Sequence, residues 1–451
     1  MREGDFAVLD EQRFAAFHWR TTLVTGLGVF CDGYDLSSVG IVLPLILKSF
    51  GDASLSSLES ASLAASALVG SVVGALVFGA LAQGGRKRFY GFDVLILGIT
   101  AIAQAFAPNV AWLIAIRFLL GIGVGADYVL SPTIMAEHAN RNDRGRALGL
   151  GFGTMWPVGA LAAALLTLLL AATGMDGDLE WRLVLAGGAI PALAVLYFRR
   201  RMPETARYLA RLAGDSAAAS RVIEDISGQS GVAPAADQRR LGAVFAQHGH
   251  AIFSAALLWM IYDLVVYASI LFGPSLIASS IGLGPVSFSL LIQIIFVLPA
   301  SVLMSLFLID RIGRKPLQVW GFFFGAVAVG VFALMQNSLM AMPTIAFVVY
   351  GLFNVAQTGP GLVSGAGVLG VELAPTRIRS LVQGITVAGG RIGAAVSAFF
   401  FPLLFAGIGQ AGAYWVIAAL GLVGAVLTQI LVPETGRLSL ETITEARATA
   451  P

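Results

Sequence analysis

The sequence predicts an all-α membrane protein of twelve transmembrane helices in two six-helix bundles, with both termini cytoplasmic. Three observations carry this expectation. First, the 451-residue chain is 57% hydrophobic and 12% charged. Counting its 53 glycines and leaving out its 9 tyrosines raises the apolar share to about 67%, against roughly 45–50% in soluble domains, where about 25% of residues are charged. That is too little polar surface for a soluble protein of this size. Second, twelve apolar stretches are long enough for a bilayer core, which takes about 20 residues per helix. Third, motifs of the first half return in the second at nearly one offset.

Residues 1–20 form a hydrophilic cytoplasmic tail that includes Arg2, Glu3, Asp5, Asp10, Glu11, Arg13 and Arg20, and shows no cleavable signal pattern. The first bundle occupies 21–199, with spans near 21–47, 58–83, 89–107, 110–137, 144–172 and 181–198. A cytoplasmic linker, 200–250, is too short and mixed for a large second domain. The second bundle, 251–432, has spans near 251–279, 285–309, 316–335, 341–373, 378–406 and 411–432; residues 433–451 form a C-terminal tail. One set of loops carries Arg86-Lys87-Arg88, Arg141, Arg144, Arg146, Arg199-Arg200-Arg201, Arg311, Arg314, Lys315, Arg377, Arg379 and Arg437. The other carries Lys48 and Arg182 but is otherwise acidic or uncharged. The positive-inside rule assigns the basic set to the cytoplasm, in a multi-pass protein of the inner, cytoplasmic cell membrane.

The internal repeat is specific. Gly85-Arg86-Lys87-Arg88 returns as Gly313-Arg314-Lys315-Pro316, and Pro203-Glu204-Thr205 as Pro433-Glu434-Thr435. Glu137 ahead of Arg144 and Arg146 returns as Glu372 ahead of Arg377 and Arg379, and Asp32 as Asp263. Repeats related by an axis along the membrane normal place a substrate site between them.

Ionisable residues at bilayer depth are costly and point to function. They are Asp32 and Asp35 in span one, Arg117 and Asp127 in span four, Asp263 in span seven and Arg391 in span eleven. At about 1.5 Å per residue, Asp32, Asp127, Asp263 and Arg391 fall roughly 15–20 Å in, near mid-depth, and are expected to form one central site. Buried aspartates that are wet in one state and dry in the other can load and release a proton. Arginine stays protonated, and its forked donors suit an anion. The competing reading of Arg391 and Asp263 is a buried pair that only locks the halves. For Asp35 and Arg117 a structural role is at least as well founded.

No metal site, cofactor or catalytic group is expected: there is one cysteine, Cys31, there are four histidines, and no ligand spacing or nucleophile–base grouping exists. Nucleic acid is excluded as a partner by a net charge of +2 and scattered basic residues.

At the basic tetrads the chain resembles the major facilitator superfamily over nearly its whole length. Asp310-Arg-Ile-Gly-Arg314-Lys315 matches its loop motif between spans eight and nine. The first-half copy is degraded, with Gln83 where an aspartate is usual, which implies a weaker latch there. Gating or structural roles are expected for Arg117, Glu137, Arg144, Asp310, Arg314, Glu372 and Arg377. Gly125-Ala-Asp127-Tyr128-Val-Leu-Ser131-Pro-Thr133-Ile-Met135-Ala-Glu137 and Trp259-Met-Ile-Tyr-Asp263-Leu-Val-Val-Tyr267 are similar to the phosphate:proton and organic metabolite:proton symporter branches, as is Asp32-Gly-Tyr34-Asp35. Period four puts Trp259, Asp263 and Tyr267 on one helix face.

Three departures shape the expected substrate. Trp156 stands where the branch has a glutamine, Gly361 where it has an asparagine and Arg391 where it has a lysine. Losing two polar phosphate ligands and gaining an aromatic favours a small organic anion, a monocarboxylate or aromatic acid, over phosphate. The expectation is a proton-coupled symporter, not an enzyme. Asp32, Asp35, Asp127 and Asp263 are its proton-coupling candidates; Arg391, Tyr34, Tyr128, Trp156, Trp259, Tyr267, Asn354 and Gln357 are its substrate candidates. Its partners would be a small anionic substrate, protons and lipid, and the chain is expected to be monomeric. Alternatives are phosphate:proton symport, sugar:proton symport (the loops around Pro203 and Pro433 resemble sugar-porter motifs, but span seven lacks paired glutamines), proton-coupled efflux, and a non-transporting membrane receptor.

Overall fold

A computed structural model describes residues 6–51, 57–231, 233–277 and 283–448, whose regular structure is helical throughout. Within a bilayer only internally bonded backbone is stable, so uninterrupted apolar runs become helices. In chain order the membrane helices are α1 (Ala16–Ser49), α2 (Ser57–Leu81), α3 (Phe92–Gln104), α4 (Val110–His138), α5 (Arg144–Ala171), α6 (Gly177–Arg200), α7 (Gly249–Ile277), α8 (Val286–Ile312), α9 (Arg314–Met340), α10 (Pro343–Glu372), α11 (Arg379–Phe401) and α12 (Leu403–Leu431).

Among the described residues eleven helices are long and apolar enough to cross a membrane, not twelve. The exception is α3. The expected span at 89–107 is split into Arg86–Phe89 and the 13-residue α3 by Gly91, whose φ of 109° breaks the helix. Thirteen residues cover about 20 Å, less than a core of about 30 Å.

Small residues set the closest approaches. In α2 and α4, Gly70 and Gly121 leave no room for a Cβ against the facing carbonyls of Phe118 and Ala67, the packing that glycine permits in membranes. The α5 stripe Gly145, Gly149 and Gly153 crosses to the second half instead, meeting Asp310, Ser305 and Leu362. A second seam joins α2 to α11, where a Cβ on Gly384 would lie 2.6 Å from the carbonyl oxygen of Ala75. Wider π-type turns interrupt α5 at Gly149–Thr154, α8 at Gln293–Val297 and Met304–Leu308, and α10 at Gly361–Gly365.

The polar segments are ordered into a cap over the basic face. Phe6 and Leu9 pack on Ala206, Ala219 and Ile223 of the linker. Arg207 bonds Asp10 at 2.7 Å and Glu441, on the C-terminal helix Leu440–Ala448, at 2.9 Å.

Candidate functional site: a charged cavity between the halves

A cavity of about 120 Å³ lies where the halves meet. The first half contributes Tyr128 of α4 and Phe152, Gly153, Trp156 and Pro157 of α5. The second contributes, among others, Trp259, Asp263 and Tyr267 of α7, Gln293 of α8, Asn354 and Gln357 of α10, and Arg391 of α11. Three of the π-type turns supply lining residues (Phe152 and Gly153; Gln293 and Val297; Gly361, Leu362 and Gly365), in keeping with the frequency of such turns at functional sites.

At one end of the cavity, charges from both halves meet. Asp32 Oδ2 on α1 accepts from Tyr128 Oη at 2.9 Å, Trp156 Nε1 at 3.2 Å and Arg391 Nη2 at 3.1 Å. Arg391 Nη1 donates to Tyr267 Oη at 2.8 Å, and the guanidinium carbon sits 4.3 Å from the centroid of the Tyr128 ring. Asp32 Oδ1, Asp263 Oδ2 and Arg391 Nε are buried without hydrogen-bond partners. One buried cation therefore faces two buried carboxylates, an arrangement whose balance changes with each proton or anion bound.

Asp32, Asp263 and Arg391 thus come together with Tyr128, Trp156, Trp259 and Tyr267, and Asn354 and Gln357 line the same cavity. Three of the sequence-predicted residues do not join them. Asp127 faces into the first bundle, where Arg199 Nη1 binds both it and Asp93 at 2.5 Å and Ser131 donates to it at 2.6 Å. Equal depth did not bring it to the centre because the helix phase turns it towards α3 and α6. Tyr34 donates to the Val184 carbonyl at 2.6 Å, away from the cavity. Asp35 is buried beside Gly188 of α6, with no hydrogen-bond partner on either oxygen.

The basic face carries a second constellation with twofold logic. Glu137 accepts from Arg86 of its own half at 3.2 Å and from Arg379 of the other at 2.9 Å. Glu372 accepts from Arg314 of its own half at 3.0 Å and from Arg144 of the other at 2.7 Å. Thr205 and Thr435 donate to the second oxygens of Glu137 and Glu372. Asp310 accepts from the backbone N–H groups of Gly145 at 3.0 Å and Arg146 at 2.6 Å, fastening α8 to the start of α5. At the equivalent place Gln83 donates a single neutral bond, 2.8 Å, to Ser380. Two further residues of the expected structural or gating set lie away from this network. Arg117 bonds the Leu63 carbonyl and Gln104 inside the first bundle. Arg377 lines a separate polar cavity with the linker and the C-terminal helix.

Outside the membrane spans, burial raises the Asp10 carboxyl above its ordinary value despite Arg207. Burial also acts to raise Glu441, but the charge and hydrogen bond of Arg207 outweigh it and hold that carboxyl low.

Sequence reading missed Arg199 and Asp93, since Arg199 looks like one of three loop arginines yet is fully buried. It also missed Gln293, whose signal was present: a lone amide inside an apolar run.

Two helical bundles enclosing a charged cavity at their seam, with a breakable ion-pair network on one face, define the secondary-carrier class. The comparisons agree. Residues 21–446 match the family model described as "Sugar (and other) transporter", and the chain belongs to that transporter family, within the major facilitator superfamily. It is 30% identical to a probable inorganic phosphate transporter 1-6 of Arabidopsis thaliana, covering 96% of this chain and 94% of the relative. It is 32% identical to a probable inorganic phosphate transporter 1-10 of Oryza sativa subsp. japonica, covering 97% and 91%. Among solved structures, the proton:xylose symporter XylE bound to 6-bromo-6-deoxy-D-glucose superposes with a TM-score of 0.81 at 24% identity, covering 96% of this chain and 99% of that one. The inward-open conformation of XylE from E. coli gives 0.66 at 23% identity, covering 95% and 99%.

Proposed function

We propose that this transporter is a proton-coupled symporter that carries a small organic anion by alternating access, with its basic face in the cytoplasm. The observation that carries the reading is the bond between Asp32 of the first half and Arg391 of the second, 3.1 Å. While Asp32 is ionised, it occupies the guanidinium. A proton on Asp32 releases Arg391 to bind an incoming anion, so proton and anion enter together. Asp263 lines the same cavity and offers a second carboxylate whose protonation lowers repulsion towards the anion. Opening the cavity first to one side and then to the other wets these groups in turn, which lets a proton load outside and leave inside. Asp127, held by Arg199, is the weaker proton candidate.

The anion's head is assigned to Arg391 and Tyr267. Its body is assigned to the walls made by Phe152, Trp156, Val266, Val297 and Leu362, which favour carbon over bare phosphate. A second reading, phosphate:proton symport, is favoured by the names of the relatives at 30–32% identity. Proteoliposomes with an imposed inward pH gradient separate the readings. Uptake of monocarboxylates or aromatic acids that collapses with a protonophore is the expected result. Accumulation of phosphate alone would overturn the organic-anion reading, and binding without accumulation would overturn transport itself.

A further inference from the structure

The seam between α2 and α11 is close-packed at one end only. Near the basic face it is tight: a Cβ on Gly79 would lie 3.0 Å from the Ser380 carbonyl oxygen, and one on Gly384 2.6 Å from that of Ala75. Further along, the helices part and leave a groove of about 720 Å³, walled by α2 and α4 of the first half and α11 of the second. Counted from the basic-face ends of these helices (Leu81, His138 and Arg379) at about 1.5 Å per residue, the lining residues Val69, Leu119 and Phe399 stand about 18–30 Å in. With a core about 30 Å thick, the groove lies in the leaflet away from the basic face. Its walls are apolar and open onto the lipid-facing surface: Val69, Leu119, Val396, Phe399 and Phe400 line it and are all exposed. The Ser66 hydroxyl on its wall donates to the Leu63 carbonyl at 3.1 Å, so it asks nothing of an occupant.

We propose that this groove seats an acyl chain of a phospholipid, and that the seated chain favours the conformation in which the basic face is shut. An apolar hollow at bilayer depth gains by being filled, because unfilled walls forfeit dispersion contacts. The groove is continuous with the surface that meets the bilayer, so the occupant at hand is a lipid tail. The conformational claim follows from where the walls come from. In alternating access the halves rock as near-rigid bodies. Opening the basic face breaks the Glu137–Arg379 and Glu372–Arg144 pairs. It also swings the far ends of α2 and α11 together about their tight crossing, and the chain must leave. An occupant held in one state and expelled in the other shifts the equilibrium towards the first. The proposal requires alternating access and stands whichever anion is carried.

The test places the full chain in nanodiscs of two phosphatidylcholines, one with unbranched palmitoyl and oleoyl chains and one with phytanoyl chains, whose methyl branches thicken the tail. Spin-label distances between cysteines at the exposed Arg88 and Arg311, in a Cys31→Ser background, read closure of the basic face. They are taken also in Asp310→Asn, whose weaker latch brings both populations into range. The ratio of closed to open molecules should be roughly threefold or more higher in the unbranched lipid. Ala395→Leu and Ala115→Leu enlarge a lining residue on opposite walls. Each should hold the closed population in both lipids and abolish the difference; Ala115 is exposed, so its enlargement disturbs no protein packing. A lipid difference that survives both fillings belongs to membrane thickness or pressure and overturns the proposal. Identical distributions in the two lipids overturn it as well. A closed fraction that rises with the number of copies per disc would assign the groove to a second copy of the chain and overturn the acyl chain as occupant.

Discussion

Removing the charge of Asp310 tests how the basic face is held shut. Its carboxylate accepts the backbone N–H groups of Gly145 and Arg146 across the seam, at 3.0 and 2.6 Å, and pairs with Arg314 at 2.7 Å. Hydrogen bonds to a charged group are worth about 1.5–3 kcal/mol net. In Asp310→Asn one oxygen remains, so one cross-seam bond is lost and the other loses its charge assistance, a cost of about 2–3 kcal/mol. At about 1.4 kcal/mol per tenfold, the ratio of closed to open molecules on this face should fall roughly 30- to 150-fold. Spin-label distances between cysteines at Arg88 and Arg311, both exposed, would read the change in a Cys31→Ser background; the native thiol is buried. The converse variant, Gln83→Asp, replaces the single neutral bond to Ser380 and should shift the population towards closure. An unaltered distance distribution in folded Asp310→Asn would refute the latch argument.

Further outcomes follow from the cavity and the tails. Asp263→Asn should abolish accumulation driven by a pH gradient while sparing exchange of labelled for unlabelled substrate, measured in the same vesicles. Arg391→Lys should raise the apparent KM by about tenfold, because a point charge replaces the fork that reaches Tyr267 and Asp32. Acidification should loosen the C-terminal helix while leaving the N-terminal tail docked, as read by hydrogen exchange at 440–448 and 6–12. The sign follows from the two carboxyls that share Arg207. Glu441, held low by Arg207, contributes stability that is lost as pH falls through its folded value, whereas burial raises Asp10, so its protonation favours the docked tail. Release of the N-terminal tail first would show that Arg207 does not divide the tails in this way.

Much of the architecture was legible because membrane burial leaves a coarse signal. Apolar runs gave the helices, and repeated charged motifs gave the halves and the glutamate-centred network. Depth along a helix was legible too, but rotation about its axis was not. Asp127 and Asp263 lie at similar depth, yet one faces Arg199 and the other the cavity. Helix phase relative to neighbours depends on long-range packing, such as the fit of Gly28 against Asp127 and Arg199, which no local pattern records. The break of α3 was hidden in the same way: Gly91 reads as one glycine among 53 until its backbone is seen. The π-type turns leave no compositional mark, because an extra residue in a turn changes bonding and not residue type.

Those turns bear on how the walls move. A helix carrying a surplus residue in one turn can hand that surplus to the next turn by trading a few carbonyl partners, with little net loss of bonding. As it travels, every side chain it passes rotates by about 100° around the axis, the angle per residue of a helix with 3.6 residues per turn. In α5, α8 and α10 the surplus sits beside Phe152, Gln293 and Leu362, so a small peristaltic step could swing different side chains into the passage while the bundles stay intact.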